Sequence, residues 1–135
     1  MVDASCCAKI IGLSIVAMAI DLPWLWLQGP GFQALVRHIQ GGRPMRMRLL
    51  GAIPVYLALG YLIHDIDSAQ TAVLTGIATY VVYDFTQFAT FDAYPLWLAV
   101  VDSLWGGVLM LLVWLVGCRL GVGCVLPWSA RGLVT

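Results

Sequence analysis

The sequence predicts an all-α, polytopic membrane protein built as a bundle of four transmembrane helices. Of its 135 residues, 61% are hydrophobic and 10% are charged, whereas a soluble domain carries about 25% charged residues. A water-soluble fold this apolar could not cover its own surface, but a lipid bilayer accepts an apolar exterior. At this length we expect one membrane domain, residues 1–135.

Four apolar segments approach the length needed to cross a hydrocarbon core of about 30 Å, which takes about 20 helical residues. Stretches that are polar or rich in glycine and proline separate them. The predicted spans are residues 8–27, 47–64, 69–89 and 96–120. Bulky tryptophans follow the first segment where signal cleavage needs small residues, so we expect it to be retained as a helix.

The connection between the first two spans is basic and contains several glycines and prolines that we expect to break the helix. Phe32, Leu35, Val36 and Ile39 have helical spacing inside it and predict a short amphipathic helix at the membrane interface. Four arginines, at positions 37, 43, 46 and 48, also lie in this connection. The positive-inside rule therefore puts the first and third connections on the cytoplasmic side and both termini on the opposite side.

Three aspartates lie inside the predicted spans: Asp21, Asp84 and Asp102. Each is five or six residues from the basic-side end of its span, hence about 8–10 Å below the same surface at 1.5 Å per residue. A carboxylate that faces lipid costs about 2.5–3.5 kcal/mol at the bilayer centre and less nearer the surface. The shared depth therefore predicts a polar cluster inside the bundle.

Neighbouring side chains extend this predicted cluster. Tyr80 and Gln87 share a helix face with Asp84 at spacings i, i+4 and i+7, and Arg46 at the mouth of the second span can reach inward. Three small residues of the fourth span, Ser103, Gly106 and Gly107, predict close helix packing. Trp24, Trp26 and Trp97 are expected in the aromatic belt at the basic-side interface, whereas Trp105 and Trp114 are deeper and expected to pack against a helix.

The cluster has two interpretations, a structural hydrogen-bond network or a site for a proton, a cation or a polar substrate. We expect no enzyme, because metalloprotease, serine-hydrolase and phosphate-loop motifs are missing. His64, at the end of the second span, is a weak candidate ligand for a haem or chlorophyll-type pigment, and an interfacial polar residue is the simpler interpretation.

Composition also limits the partners. The formal net charge is zero and no long basic run occurs, which argues against nucleic acid. The four cysteines lack Cys-x-x-Cys spacing, so we expect no metal site. They lie near the two termini, where a disulfide between the termini, free thiols and palmitoylation all remain open, and the sequence names no cofactor.

A run of polar, aromatic and small residues joins the third and fourth spans: Tyr83, Asp84, Thr86, Ala89, Thr90, Pro95, Asp102, Trp105 and Gly106. Asp21 and Trp24 add an Asp-x-x-Trp element in the first span. These residues resemble the hallmark of a family of predicted membrane proteins found in bacteria, algae and large algal viruses, domain of unknown function 2177. That hallmark is similar to Tyr-Asp-Leu-Thr-Asn-x-Ala-Thr, then Trp-Pro, then Asp-x-x-Trp-Gly. Gln87 stands where the family has asparagine. The resemblance implies a four-helix membrane architecture and no particular activity.

The leading functional hypothesis is a non-enzymatic accessory or structural subunit of a larger photosynthetic, respiratory or viral membrane assembly. Its partners would be the lipid bilayer and other membrane-protein subunits. Short loops, small-residue packing sites and tryptophan-rich faces support it. The alternatives are a small oligomeric proton- or cation-linked carrier that uses the aspartate cluster, and a pigment- or lipid-binding module.

Overall fold

The computed structural model describes residues 3–122, and all regular structure in that range is helical, which confirms the predicted all-α class. The helices are α1 (Ala4–Ile39), α2 (Ala52–Ile63), α3 (Ala69–Thr90) and α4 (Leu96–Leu120), and a short 3-10 turn (Leu49–Gly51) precedes α2. In this part of the chain, α1 and α4 are long and apolar enough to cross a membrane.

Helix α1 is one continuous helix of 36 residues, so the prediction of a separate short amphipathic helix between the first two spans is wrong. Pro30 costs the helix one backbone hydrogen bond, but it does not end it. Phe32 and Leu35 pack against Tyr94 in the turn before α4 and against Leu98 in its first turn. We attribute the continuity to this packing, which offsets a weak local helix propensity.

The end of α1 is encoded by a glycine pair. Gly41 and Gly42 have φ angles of 64° and 91°, which L-amino acids with a side chain rarely adopt. The start is also specified locally, because the backbone N–H of Cys6 donates to the Asp3 carboxylate at 2.7 Å.

The four described helices alternate in direction. Leu13, near the start of α1, contacts Gly117 near the end of α4, whereas Trp24 bonds to Asp102 near the start of α4. The most extensive packing is between α3 and α4, followed by α1 with α2 and then α1 with α4. Helix α4 is therefore central, and α2 meets it only at one edge.

Glycines permit the two closest helix crossings. A Cβ atom built on Gly76 of α3 would overlap the carbonyl oxygen of Gly106 of α4. One built on Gly60 of α2 would lie 2.5 Å from the carbonyl oxygen of Ile10 of α1. Backbones approach this closely where small residues face each other, as is typical of helix packing in membranes.

The three predicted packing residues of α4 are all buried. Gly106 and Gly107 face α3, since a Cβ atom on Gly107 would lie 2.8 Å from the side chain of Ile77. Ser103 donates its hydroxyl to the carbonyl of Ala99 at 2.7 Å, which satisfies the polar group within its own helix.

Large apolar side chains lie mostly on the outside of the molecule. The exposed ones recur at helical spacing and include Ile11, Ile15, Met18, Leu22 and Leu25 on α1, and Trp97, Val101, Leu104, Val108 and Leu112 on α4. The helices bury large apolar side chains, among them Leu13, Leu109 and Met110, together with small and polar residues such as Ala17 and Asp84. Both the exterior and the interior are thus rich in apolar side chains, whereas the surface of a soluble domain is covered mainly by charged and polar residues.

We expect Gly76→Ala and Gly106→Ala to destabilise the protein, because each adds a methyl group where two helices touch. Overpacking of this kind costs about 1–3 kcal/mol. The readout is the thermal unfolding midpoint of detergent-purified protein followed by circular dichroism. Gly31→Ala is the matched control, since nothing lies within 4 Å of the Cβ position there and alanine favours a helix. Equal midpoints for all three variants would contradict the crossing.

Candidate functional site

The candidate site is a set of carboxyl groups, two buried and one half-buried, that accept hydrogen bonds from neighbouring helices and from the turn before α4. We call it the carboxylate network. Its acceptors are Asp21, Asp84 and Asp102, and its donors are Trp24, Gln28, Tyr56, Tyr94 and Trp105.

Asp21 connects three helices. It lies on α1 and is only 5% exposed. Its Oδ2 atom accepts a hydrogen bond from the Tyr56 hydroxyl of α2, and its Oδ1 atom accepts one from the Trp105 indole N–H of α4, both at 2.8 Å. Both carboxylate oxygens therefore have a donor.

Asp102 makes the reciprocal connection from α4 back to α1. Its Oδ1 atom accepts from the Trp24 indole N–H at 2.8 Å and from the Gln28 amide at 3.2 Å. Trp24 and Gln28 are four residues apart and so share one face of α1. The Trp24 ring stacks on the Trp105 ring with centroids 4.7 Å apart and planes 10° apart. This indole pair joins the surroundings of the two carboxyl groups.

Asp84 is the least satisfied acid in the network. It lies on α3 with no exposed surface. Its Oδ1 atom accepts from the Tyr94 hydroxyl at 2.8 Å, whereas its Oδ2 atom is buried without a donor among the described residues. The carboxyl group of Asp102 lies within hydrogen-bonding range of it.

Tyr94 lies in the turn between α3 and α4, outside both helices. Burial and then its hydrogen bond to Asp84 raise the pKa of this phenol above its usual value of about 10. The hydroxyl therefore stays protonated at neutral pH and remains a donor to Asp84.

The donors of the network are neutral rather than cationic. Within the described residues no lysine or arginine forms an ion pair with the three aspartates. Hydrogen bonds to a charged group contribute about 1.5–3 kcal/mol each, more than neutral ones, so indole and phenol dipoles can stabilise a buried carboxylate. The arrangement holds negative charge and contains no nucleophile–base pair.

The structure places Asp21, Asp84 and Asp102 in one region between α1, α3 and α4, and their common depth in a membrane stays a prediction. Tyr80 lies beside the network, with its ring against Gly106. Gln87 and Arg46 lie elsewhere. Arg46 is exposed in the connection after α1 and makes no hydrogen bond or ion pair within the described chain.

Gln87 lines a surface groove between the last turns of α1 and the end of α3. The groove has a volume of about 220 Å³. Its other lining residues are Phe32, Leu35, Val36, Ile39, Gln40, Tyr83, Phe91 and Tyr94. Gln87 lies three residues after Asp84 on α3, and its side chain lines the groove beside the last turns of α1. The sequence did not predict that α1 continues this far.

Sequence reasoning missed the donors of the network. Trp24, which the sequence predicts in the aromatic belt, donates its N–H to Asp102. Trp105 does pack against a helix, but it also donates to Asp21. The spacing in the sequence could have predicted these donors, because Trp24 and Trp105 each follow an aspartate by three residues and so share its helix face.

The geometry of His64 does not favour pigment ligation. Its Nδ1 atom bonds to the carbonyl of Tyr61 at 2.5 Å, and its Nε2 atom lies 3.5 Å from the Asp65 carboxylate. Both ring nitrogens thus face protein groups. No cluster of three or more histidine, cysteine or acidic residues able to hold a metal ion occurs in residues 3–122.

Cys6 and Cys7 are free thiols, so neither forms a disulfide with the other end of the chain. Cys124 lies outside the described residues. Trp114, the other deep tryptophan, donates to the carbonyl of Ile66 at 2.9 Å and so ties α4 to the connection between α2 and α3.

An apolar exterior, glycine crossings and interior carboxyl groups bonded to indoles define the class of helical membrane proteins. The chain belongs to the DUF2177 family, described as predicted membrane proteins, whose model matches residues 6–119. This confirms the family resemblance found in the third and fourth spans. No curated protein and no solved structure matches the chain significantly.

We expect Trp105→Phe to lower stability by about 1.5–3 kcal/mol, because it leaves an oxygen of Asp21 without a donor. In a double-mutant cycle with Asp21→Ala, the two losses should be non-additive, since each removes the same bond. Thermal unfolding of the purified protein measures both effects. Trp97→Phe is the control, because Trp97 is 63% exposed. Additive losses would show that the two side chains are not coupled.

Proposed function

We propose that this protein is a four-span integral membrane protein that acts as a non-enzymatic accessory or structural subunit of a larger membrane assembly. The observation that supports it most directly is the distribution of side chains. Apolar stripes cover the outside of α1 and α4, whereas the polar groups inside are mostly bonded to one another. Such a molecule needs lipid or protein around it.

Helix lengths support four crossings. At 1.5 Å per residue, α4 is about 37 Å long and α3 about 33 Å, and the hydrocarbon core is about 30 Å thick. Helix α3 is the more polar of the two, but threonine hydroxyls at positions 79, 86 and 90 donate to carbonyl groups four residues earlier. This bonding hides their polar groups from lipid.

The short second span is consistent with a partner. Leu49–Ile63 contains 15 residues and reaches about 22 Å. Leu49 and Leu50 at its start are 72% and 82% exposed. A span shorter than the bilayer is accommodated by local thinning of the lipid or by association with other helices. An adjoining subunit would cover this apolar end.

The far side of α3 offers a second surface. Helix α3 packs mainly on α4, and apolar residues on its outer face, such as Val82, Phe85 and Phe88, are exposed. A subunit that fills a gap between larger proteins would use such a face together with the outer stripe of α1.

One observation favours a second candidate, the proton- or cation-linked carrier. Asp84 has a buried carboxylate oxygen without a donor among the described residues. A purely structural network leaves few such atoms unpaired. The apolar groove lined by Gln87 likewise favours the third candidate, a lipid-binding module, in which the groove would hold an acyl chain.

We expect mild-detergent extraction from native membranes to recover the chain in a complex with other membrane proteins, detected by native mass spectrometry. Asp102→Asn should reduce recovery of that complex, because it weakens the contact between α1 and α4. Proteoliposomes that contain the purified chain should show no proton or cation flux. A monomer without a reproducible partner would count against the subunit, and a flux that Asp84→Asn abolishes would establish the carrier instead.

The proposed orientation has its own test. Arg43→Cys places a thiol in the first connection, and Asp67→Cys places one in the second. Both residues are exposed. We expect a membrane-impermeant maleimide to label position 67 from the outside and position 43 only after permeabilisation. The unmodified chain supplies the background from its own cysteines, and mass spectrometry counts the added label. The reverse pattern would invert the orientation.

A further inference from the structure

The pairing of two acids from adjacent helices is the least explained contact in the network. Asp84 of α3 and Asp102 of α4 lie within hydrogen-bonding range of each other. Two ionised carboxylates have no donor to share, because a carboxylate only accepts. A bond between them therefore requires a proton on one of the two.

The surroundings of the pair make double ionisation unfavourable. Two neighbouring carboxylates repel each other, and Asp84 is fully buried, where a second negative charge is poorly solvated. The titratable groups around the pair are Asp21 of α1, Tyr80 and Tyr83 of α3, and Tyr94 of the turn, and none of them is a cation. Tyr56 of α2 bonds to Asp21 and not to the pair. No cation in the described chain neutralises a second charge.

The donors distinguish the two acids. Asp102 accepts two hydrogen bonds, from Trp24 and Gln28, as suits a carboxylate. Asp84 accepts one, from Tyr94, and its second oxygen is fully buried with no donor. A proton on Asp84 converts that oxygen into a hydroxyl donor and removes the deficit.

We propose that Asp84 and Asp102 form a proton-binding site in which one proton is shared, with Asp84 as the neutral acid and Asp102 as the carboxylate. The pair then carries one negative charge, and the proton forms the hydrogen bond between the two carboxyl groups. Tyr94 lines the groove and donates to Asp84, so the site lies one hydrogen bond from a cavity open to the surface. The inference goes beyond the accessory role and holds with or without partner subunits.

Infrared spectroscopy of the purified chain in liposomes at pH 7 tests the site. An ordinary aspartate is ionised at this pH, since its pKa is about 3.9. We expect the wild type to show the C=O stretch of about one protonated carboxylic acid per chain, sensitive to exchange into D₂O. Wild-type protein without this band would overturn the proposal, and that measurement needs no variant.

Two variants assign the band. Asp84→Asn removes the acid itself, and in Asp102→Asn the new amide donates to Asp84, which then ionises. Both should lose the band, while Asp21→Asn should keep it because both oxygens of Asp21 have other donors. Circular dichroism confirms that each variant is helical. Survival of the band in either pair variant, or its loss in Asp21→Asn alone, would contradict the assignment.

Discussion

Negative charge buried between helices must be stabilised by donors that are already in place, because water is excluded there. Here the donors are indole and phenol groups, and α1 and α4 each donate an indole N–H to an aspartate of the other helix. Asp21 of α1 accepts from Trp105 of α4, and Asp102 of α4 accepts from Trp24 of α1. A shift of α1 along α4 by one turn would break both bonds at once. The exchange therefore sets the register of these two helices, and the stacked indoles between them reinforce it.

The third helix depends on a different constraint, which is close backbone approach. The crossing at Gly76 and Gly106 brings α3 against α4 without intervening side chains. Asp84 and Asp102 lie one to two turns from that crossing, so the small residues allow the two carboxyl groups to meet. The glycine crossing thus allows Asp84 and Asp102 to approach each other. Their pairing in turn gives α3 a polar contact with the carboxylate network.

Composition and spacing predicted the helical class and a common depth for the three aspartates, because both follow from the chain's apolar character and from helix geometry. The continuity of α1 did not follow, since Gly29, Pro30 and Gly31 lower local helix propensity and the compensating packing of Phe32 and Leu35 involves residues about 60 positions away. The donors were missed for a similar reason. A tryptophan near a span end satisfies the interfacial pattern equally well whether its N–H faces water or a buried carboxylate.

The hydrogen-bond partners of each aspartate indicate whether it can also bind a ligand. Both oxygens of Asp21 are occupied, so a cation or polar solute there would have to displace an indole N–H that also holds α1 against α4. Breaking that bond would loosen the fold that forms the site. A proton at Asp84 needs no such displacement, because it occupies no appreciable volume and gives a bond to the buried oxygen that has no donor among the described residues. The proposed proton site is therefore compatible with the packing of this interior.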